Sequence, residues 1–271
     1  MPDIGRLRYL EAEPRQPGPG PAGRPAGTLV LIHAFPLNAR MWEPQLALAG
    51  KGWRVIAPQL RGFDGAAGDP PVSSIDDYAG DVVDLLDALH VEEAVIGGLS
   101  MGGYVTFALF RLAPRYFRGM VLADTRPQAD SAEVADGRRQ MQKLVRAEGA
   151  SAVADAMLPR LLGVTTRRER PELEQHVRRL IETGSAQAIG GALEAMMSRP
   201  DSTPLLGTIR CPVLVVTGAE DMITPPSVAE DMHRAIPGAE LAIVAAAGHL
   251  SSLEQPAAFT AALARFLAHR L

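Results

Sequence analysis

Two hydrophobic rhythms divide the chain. In one, consecutive residues are apolar over a strand's length: "TLVLIH" at Thr28–His33, "WRVIAP" at Trp53–Pro58, "EAVIGG" at Glu93–Gly98, "RGMVLAD" at Arg118–Asp124, "PVLVVTG" at Pro212–Gly218 and "AELAIVA" at Ala239–Ala245. Runs with no polar face suit central parallel strands covered by helices on both sides. "RLRYLEA", ahead of them, is a further short strand. In the other rhythm apolar residues recur every three or four positions. Ile75, Tyr78, Val82, Leu85, Leu86 and Leu89 predict a helix, with Ser74 and Asp77 as its N-terminal cap pair. "NARMWEPQLALAGKG" and "YVTFALFRLAP" read as helices, the second stopped by Pro114, and "PAAFTAALARFLAHRL" closes the chain as another.

Between Pro127 and Pro204 the strand rhythm disappears. "RRQMQKLVRAEG", "ELEQHVRRLIETG" and "SAQAIGGALEAMM" are helical by spacing. The expectation is an α/β class protein: a doubly wound sheet made of residues 1–126 and 205–271, carrying residues 127–204 as an inserted helical cap. The Pro/Gly-rich "PRQPGPGPAGRPAG" reads as a surface loop, because too little precedes it to fold alone.

Bulk properties narrow the function. Its 271 residues suit one large globular unit. A net charge of −4 supplies no field for nucleic acid, and aromatics at 5% leave few stacking platforms. Cys211 is the only cysteine, so no disulfide joins two points of the chain; it reads as a small residue entering a strand. The charged start "MPDIGRLRYLEAEPR" lacks the apolar core of a secretory signal, and no run approaches the roughly 18 apolar residues of a membrane span. A soluble, cytoplasmic protein is expected. The aspartates at 76, 77, 81, 84 and 87 read as the solvated face of their helix rather than as metal ligands.

The chemistry centres on "VIGGLSMGGYV" at Val95–Val105. Gly98-Leu99-Ser100-Met101-Gly102 fits G-x-S-x-G between a strand and a helix, the context that motif requires. Glycines on both sides permit a turn so tight that side chains there would strike the opposite backbone, and Ser100 is pushed out at the rim where parallel strands end. A serine hydroxyl needs a base, and the base needs an orienting acid. Of six histidines, His249 in "AAAGHLSSLEQP" lies in a loop after a late strand on the same rim. Asp221, in "VVTGAEDMITPP", is the favoured acid and completes the order Ser, Asp, His. Asp124, at another strand end, is its rival. Glu254 reads as a cap for the final helix, and His33 as a structural hydrogen-bonder. The oxyanion donors are expected from the amides of Met101 and Phe35, the latter in "HAFPLN".

"LVLIHAFPLNARMW", "VIAPQLRGF", "GGLSMGGYVTFAL", "RPDSTPLLGTIRCPVLVVTGAEDMITPP" and "AGHLSSLEQPAAF" together resemble the α/β-hydrolase superfamily. Within it they are similar to the serine esterase and 3-oxoadipate enol-lactonase branch, which includes N-acyl homoserine lactonases. The resemblance implies an eight-stranded, mostly parallel sheet with a helical cap after the sixth strand, and it places the catalytic set on Ser100, Asp221 and His249. It departs from the family pattern at His33-Ala34, where His-Gly is usual, at Pro58-Gln59, where Pro-Asp is usual, and at "RGFDGAAG". Dehalogenases and epoxide hydrolases of the superfamily use an aspartate where Ser100 stands.

The expected function is metal-free and cofactor-free hydrolysis of a small ester or lactone. Leu158, Leu161, Leu162, Met196 and Met197 are candidates for an acyl site in the cap, with cap-core packing as the alternative for each. Two other functions are compatible with the same residues: a perhydrolase of the haloperoxidase type, and a non-enzymatic ligand receptor. Oligomeric state is not readable from the chain.

Overall fold

A computed structural model describes residues 1, 3–4, 7–14, 25–63 and 72–271. Most of the proline-rich loop and of "RGFDGAAG" therefore lies outside the described residues. Among the described residues eight strands form one sheet: β1 (Asp3–Ile4), β2 (Leu7–Ala12), β3 (Gly27–Ile32), β4 (Trp53–Gln59), β5 (Ala94–Leu99), β6 (Phe117–Ala123), β7 (Val213–Gly218) and β8 (Glu240–Val244). Their spatial order is β1-β2-β4-β3-β5-β6-β7-β8. The first two pairings, β1 with β2 and β2 with β4, are antiparallel, and all the others are parallel. The two-residue β1 has no counterpart among the apolar runs.

The inner strands are apolar on both faces because both faces are covered. Every residue of β5 and of β7 is buried. One packed group consists of the helices α1 (Ile75–Ala88) and α2 (Met101–Leu112); another joins the segment Ala39–Lys51 to α9 (Ser251–Glu254) and α10 (Pro256–Arg270). Helix α8 (Pro226–Ala235) packs on β7 and β8. Ser74 and Asp77 form a reciprocal cap, each side chain accepting from the other's backbone N–H at 3.0 Å. The expected helix after Asn38 is a 3₁₀ helix rather than an α-helix, and Pro44 lies inside it. One aspartate departs from the solvated-face reading. Asp81 lies three residues after Tyr78 and four before Leu85, on the buried stripe, and its carboxylate meets Arg61 at 2.5 Å with both side chains buried.

Four helices fill the interval between β6 and the short α7 (Thr203–Leu206): α3 (Ala132–Leu161), α4 (Val164–Glu169), α5 (Pro171–Glu182) and α6 (Ala186–Ser198). Helix α3 is two helices joined at Gly149, whose φ of 79° breaks the helical path. It packs on both α5 and α6. No described helix is long and apolar enough to cross a membrane.

Candidate active site

Because β3 to β8 run parallel, their carboxyl ends share one rim, and six loops leave it there. The turn after β5 places Ser100 at φ 56°, ψ −113°, a backbone conformation that L-residues rarely adopt. The glycines explain how the turn closes. A Cβ on Gly98 would lie 2.3 Å from the Gly102 carbonyl carbon, and one on Gly102 would lie 2.2 Å from the Ile32 carbonyl oxygen. The Ser100 carbonyl accepts from Thr125 Oγ1 at 2.8 Å, which ties the turn to the next strand's exit.

The loop after β8 brings His249 to this serine. Its Nε2 lies 2.8 Å from Ser100 Oγ, and its Nδ1 lies 2.8 Å from Asp221 Oδ2. The imidazole is buried, whereas Ser100 is half-buried. Asp221 accepts four hydrogen bonds in all. Oδ1 takes the backbone N–H groups of Ile223 at 2.8 Å and Thr224 at 3.0 Å, and Oδ2 takes Thr224 Oγ1 at 2.6 Å beside the imidazole. Burial by itself raises its pKa; the His249 ring and these hydrogen bonds outweigh that and hold the carboxyl below the usual range. A carboxylate that stays ionised beside Nδ1–H leaves Nε2 free to accept the serine proton.

Asp124 is engaged elsewhere. Its Oδ1 accepts from Gly218 N–H at 2.8 Å and its Oδ2 from the Ser251 hydroxyl. Complete burial, followed by repulsion from Asp221, raises its pKa well above the ordinary value. It braces the ends of β6 and β7 and makes no hydrogen bond to His249.

Glu254 also differs from its expected role. Helix α10 begins at Pro256 without a side-chain cap, and Glu254 turns inward, fully buried. Its Oε1 accepts from the N–H groups of Gly248 at 2.9 Å and Leu250 at 3.1 Å, the two amides flanking His249. Its Oε2 accepts from Gly163 N–H at 2.8 Å, at the start of α4. Glu220 holds the same segment through Thr165 N–H at 2.9 Å and Thr165 Oγ1 at 2.5 Å. The contacts to Gly163 and Thr165, 91 and 55 residues away in the chain, left no local signal. A hydroxyl at position 224, three residues after the acid, was the one readable hint of Asp221's own support.

His33 is wholly buried at the end of β3. Its Nδ1 faces Ala34 O at 3.0 Å, and its Nε2 accepts from Leu60 N–H at 3.1 Å. Burial lowers its pKa to about 4, only partly opposed by the bond to Ala34. Ala34 is not among the residues at positive φ, so the glycine usual there is not required by the backbone. Phe35 follows it, buried, and its N–H donates to no described group. Met101 opens α2, where the first N–H groups have no intrahelical acceptor. Gln59 takes the place of an acid without a charge: Oε1 accepts from Ala39 N–H at 3.0 Å, and Nε2 donates to Leu60 O at 3.2 Å. Cys211 is half-buried just before β7, and burial pushes its thiol up to about 11, away from reactivity.

A cleft of about 870 Å³ opens beside the rim. Phe35, Arg126 and Ile223 line it from the core, and Val134, Met141, Met157 and Leu193 from α3 and α6. The five cap residues expected to form an acyl site do not line it. Leu158, Leu161, Leu162 and Met196 are buried, and Met197 is half-buried. Leu158, Leu161, Leu162 and Met196 belong to the packed hydrophobic core.

The model of the alpha/beta hydrolase family matches residues 29–263. The chain belongs to the alpha/beta hydrolase family. Among curated relatives, 3-oxoadipate enol-lactonase 2 of Acinetobacter baylyi is 30% identical over 90% of this chain and 89% of its own length. Among solved structures, a thermophilic esterase from Thermogutta terrifontis, studied with malate bound, is 36% identical with a TM-score of 0.89, covering 97% of this chain and 93% of that one. The enol-lactonase from Burkholderia xenovorans is 29% identical with a TM-score of 0.84, over 97% of this chain and 96% of that one. The mostly parallel sheet covered by helices is thus the family's fold, as the motifs implied.

Proposed function

We propose that the protein hydrolyses carboxylic esters or lactones through an acyl-enzyme on Ser100. The observation that carries this reading is the imidazole of His249, set 2.8 Å from both Ser100 Oγ and Asp221 Oδ2. The relatives named enol-lactonase and esterase support the same class of substrate.

In the proposed cycle Ser100 Oγ attacks the carbonyl carbon while its proton passes to His249 Nε2. Asp221 fixes the imidazole with its proton on Nδ1 and stabilises the cation that forms. The oxyanion is held by the backbone N–H groups of Met101 and Phe35, the first aided by its place at the start of a helix. Collapse expels an alkoxide, which takes the proton from Nε2. His249 then draws a proton from water as its oxygen attacks the acyl carbon, and Ser100 leaves, taking that proton back from Nε2. With a lactone the leaving alkoxide stays tethered to the acyl group, so a single hydroxy acid departs. Residues 127–204 act as the cap that covers the rim and selects the substrate.

The test is Ser100→Ala assayed with p-nitrophenyl acetate and with simple lactones. Turnover is expected to fall by roughly 10⁴-fold or more with an unchanged thermal unfolding midpoint. A folded Ser100→Ala protein that keeps its activity overturns the assignment. A wild-type protein that binds such compounds but turns none of them over is a receptor instead.

A further inference from the structure

The cap meets the loop of His249 where backbone lies directly on backbone. A Cβ on Gly248, the residue before His249, would lie 2.3 Å from Gly163 N, and one on Gly163 would lie 2.8 Å from Gly248 N. A Cβ on Gly218, at the end of β7, would likewise lie 2.0 Å from Gly248 O. Three segments therefore come together with no side chain between them: the end of β7, the His249 loop and the start of α4.

Hydrogen bonds reinforce the same contact. The Glu254 carboxylate takes Gly163 N–H with one oxygen and the N–H groups of Gly248 and Leu250 with the other. One side chain thus holds the cap and both neighbours of His249. Glu220, the residue before Asp221, takes the N–H and hydroxyl of Thr165 and gives its own N–H to Ala247 O at 2.7 Å. Arg170, closing α4, donates from Nη1 to Glu254 O at 2.7 Å. Gly163, Thr165 and Arg170 do not line the cleft of about 870 Å³. Their partners are the residues beside the base and beside the acid. The loop they grip needs support, because Ala246, three residues before His249, is held at φ 53°. A non-glycine residue keeps such a conformation only where its surroundings impose it.

We propose that Gly163 and Thr165 are positioning residues for His249. Through them the cap sets the place of the imidazole between Ser100 and Asp221, in addition to covering the rim. The proposal rests on the ester-hydrolase reading and gives the cap a share in the rate of the chemical step. Neither residue takes a proton or makes a bond to substrate.

The experiment compares Gly163→Ala with Gly190→Ala, a substitution in α6 whose added methyl meets open space. The substrate is p-nitrophenyl acetate, whose small acyl group makes little demand on the cap. Gly163→Ala is expected to lower kcat by about tenfold to a hundredfold with KM within about threefold of wild type, since a misplacement of about 1 Å at the reacting groups can cost a hundredfold. Gly190→Ala is expected to match wild type. Thr165→Val is expected to lower kcat by about threefold to tenfold, and Thr165→Ser, which keeps the hydroxyl for Glu220, to restore it. The NMR resonance of the His249 Nδ1–H shared with Asp221 should shift or broaden in Gly163→Ala and in Thr165→Val. A purely structural role would lower the thermal unfolding midpoint and leave kcat and this resonance unchanged. Wild-type kcat in folded Gly163→Ala or Thr165→Val therefore overturns the proposal, as does an effect on KM alone. Where Gly163→Ala does not fold, the Thr165 pair reads the same contact. If the wild type turns over no ester, the hydrolase reading fails and the resonance decides: a change in Gly163→Ala or Thr165→Val supports the positioning role, and an unchanged signal refutes it.

Discussion

Lowering the pH should unlock the loop that follows β3, and His33 is the group through which it acts. The imidazole accepts from Leu60 N–H at Nε2, so a proton added there would set donor against donor in a site with no solvent. Burial accordingly depresses its pKa from 6.5 to about 4. The unfolded chain binds more protons than the folded one between those two values. This contribution to stability is therefore complete above pH 6.5, is lost as the pH falls toward 4, and is gone below it. At ~1.4 kcal/mol per tenfold change in proton affinity, the full loss is about 3 kcal/mol, of which roughly 2.5 kcal/mol is spent between pH 7.5 and 4.5. His33→Gln keeps a hydrogen-bond acceptor and removes the titration. Urea unfolding of both proteins at the two pH values isolates the term, because every other group titrates alike in both. Wild type should lose roughly 2.5 kcal/mol more than His33→Gln over that interval. Parallel losses in the two proteins would refute the buried, neutral imidazole and the loop anchoring built on it.

The rival acids separate by substitution. Asp221→Asn should reduce kcat by about 10⁴-fold through loss of the imidazole's orienting partner, whereas Asp124→Asn, which can still meet Gly218 N–H and Ser251, should stay within about tenfold of wild type in the same ester assay. Glu254→Ala strips the acceptor from three buried amides, those of Gly163, Gly248 and Leu250. At about 1–3 kcal/mol for each, urea unfolding should show a loss of roughly 3 kcal/mol or more, with kcat falling as the His249 loop loosens.

What could be read beforehand was local. A turn that only glycines permit is spelled by Gly98 and Gly102 themselves, and a strand apolar on both faces is visible in β5 without knowing its neighbours. The proximity of His249 and Asp221 to Ser100 was legible because parallel topology turns that question into one of which loops leave the same rim. What escaped depends on pairing across the chain. Asp81 is buried because Arg61, twenty residues earlier, reaches it. Glu254 points inward because two loops and the start of α4 converge on its carboxylate. The inward stripe of a cap helix looks the same whether it joins the packed core, as at Leu158 and Met196, or lines a cleft, as at Met157. The two-residue β1 has too few side chains to leave a pattern, and its pairing with β2 is made by the backbone.

The central claim is that Ser100, and no other hydroxyl, becomes acylated. A fluorophosphonate probe followed by peptide mass spectrometry tests it most directly. The account predicts one adduct per chain, on the peptide containing Ser100, formed at a rate that collapses in His249→Ala. Labelling at another residue, or an unlabelled Ser100 in protein that hydrolyses esters, would contradict it.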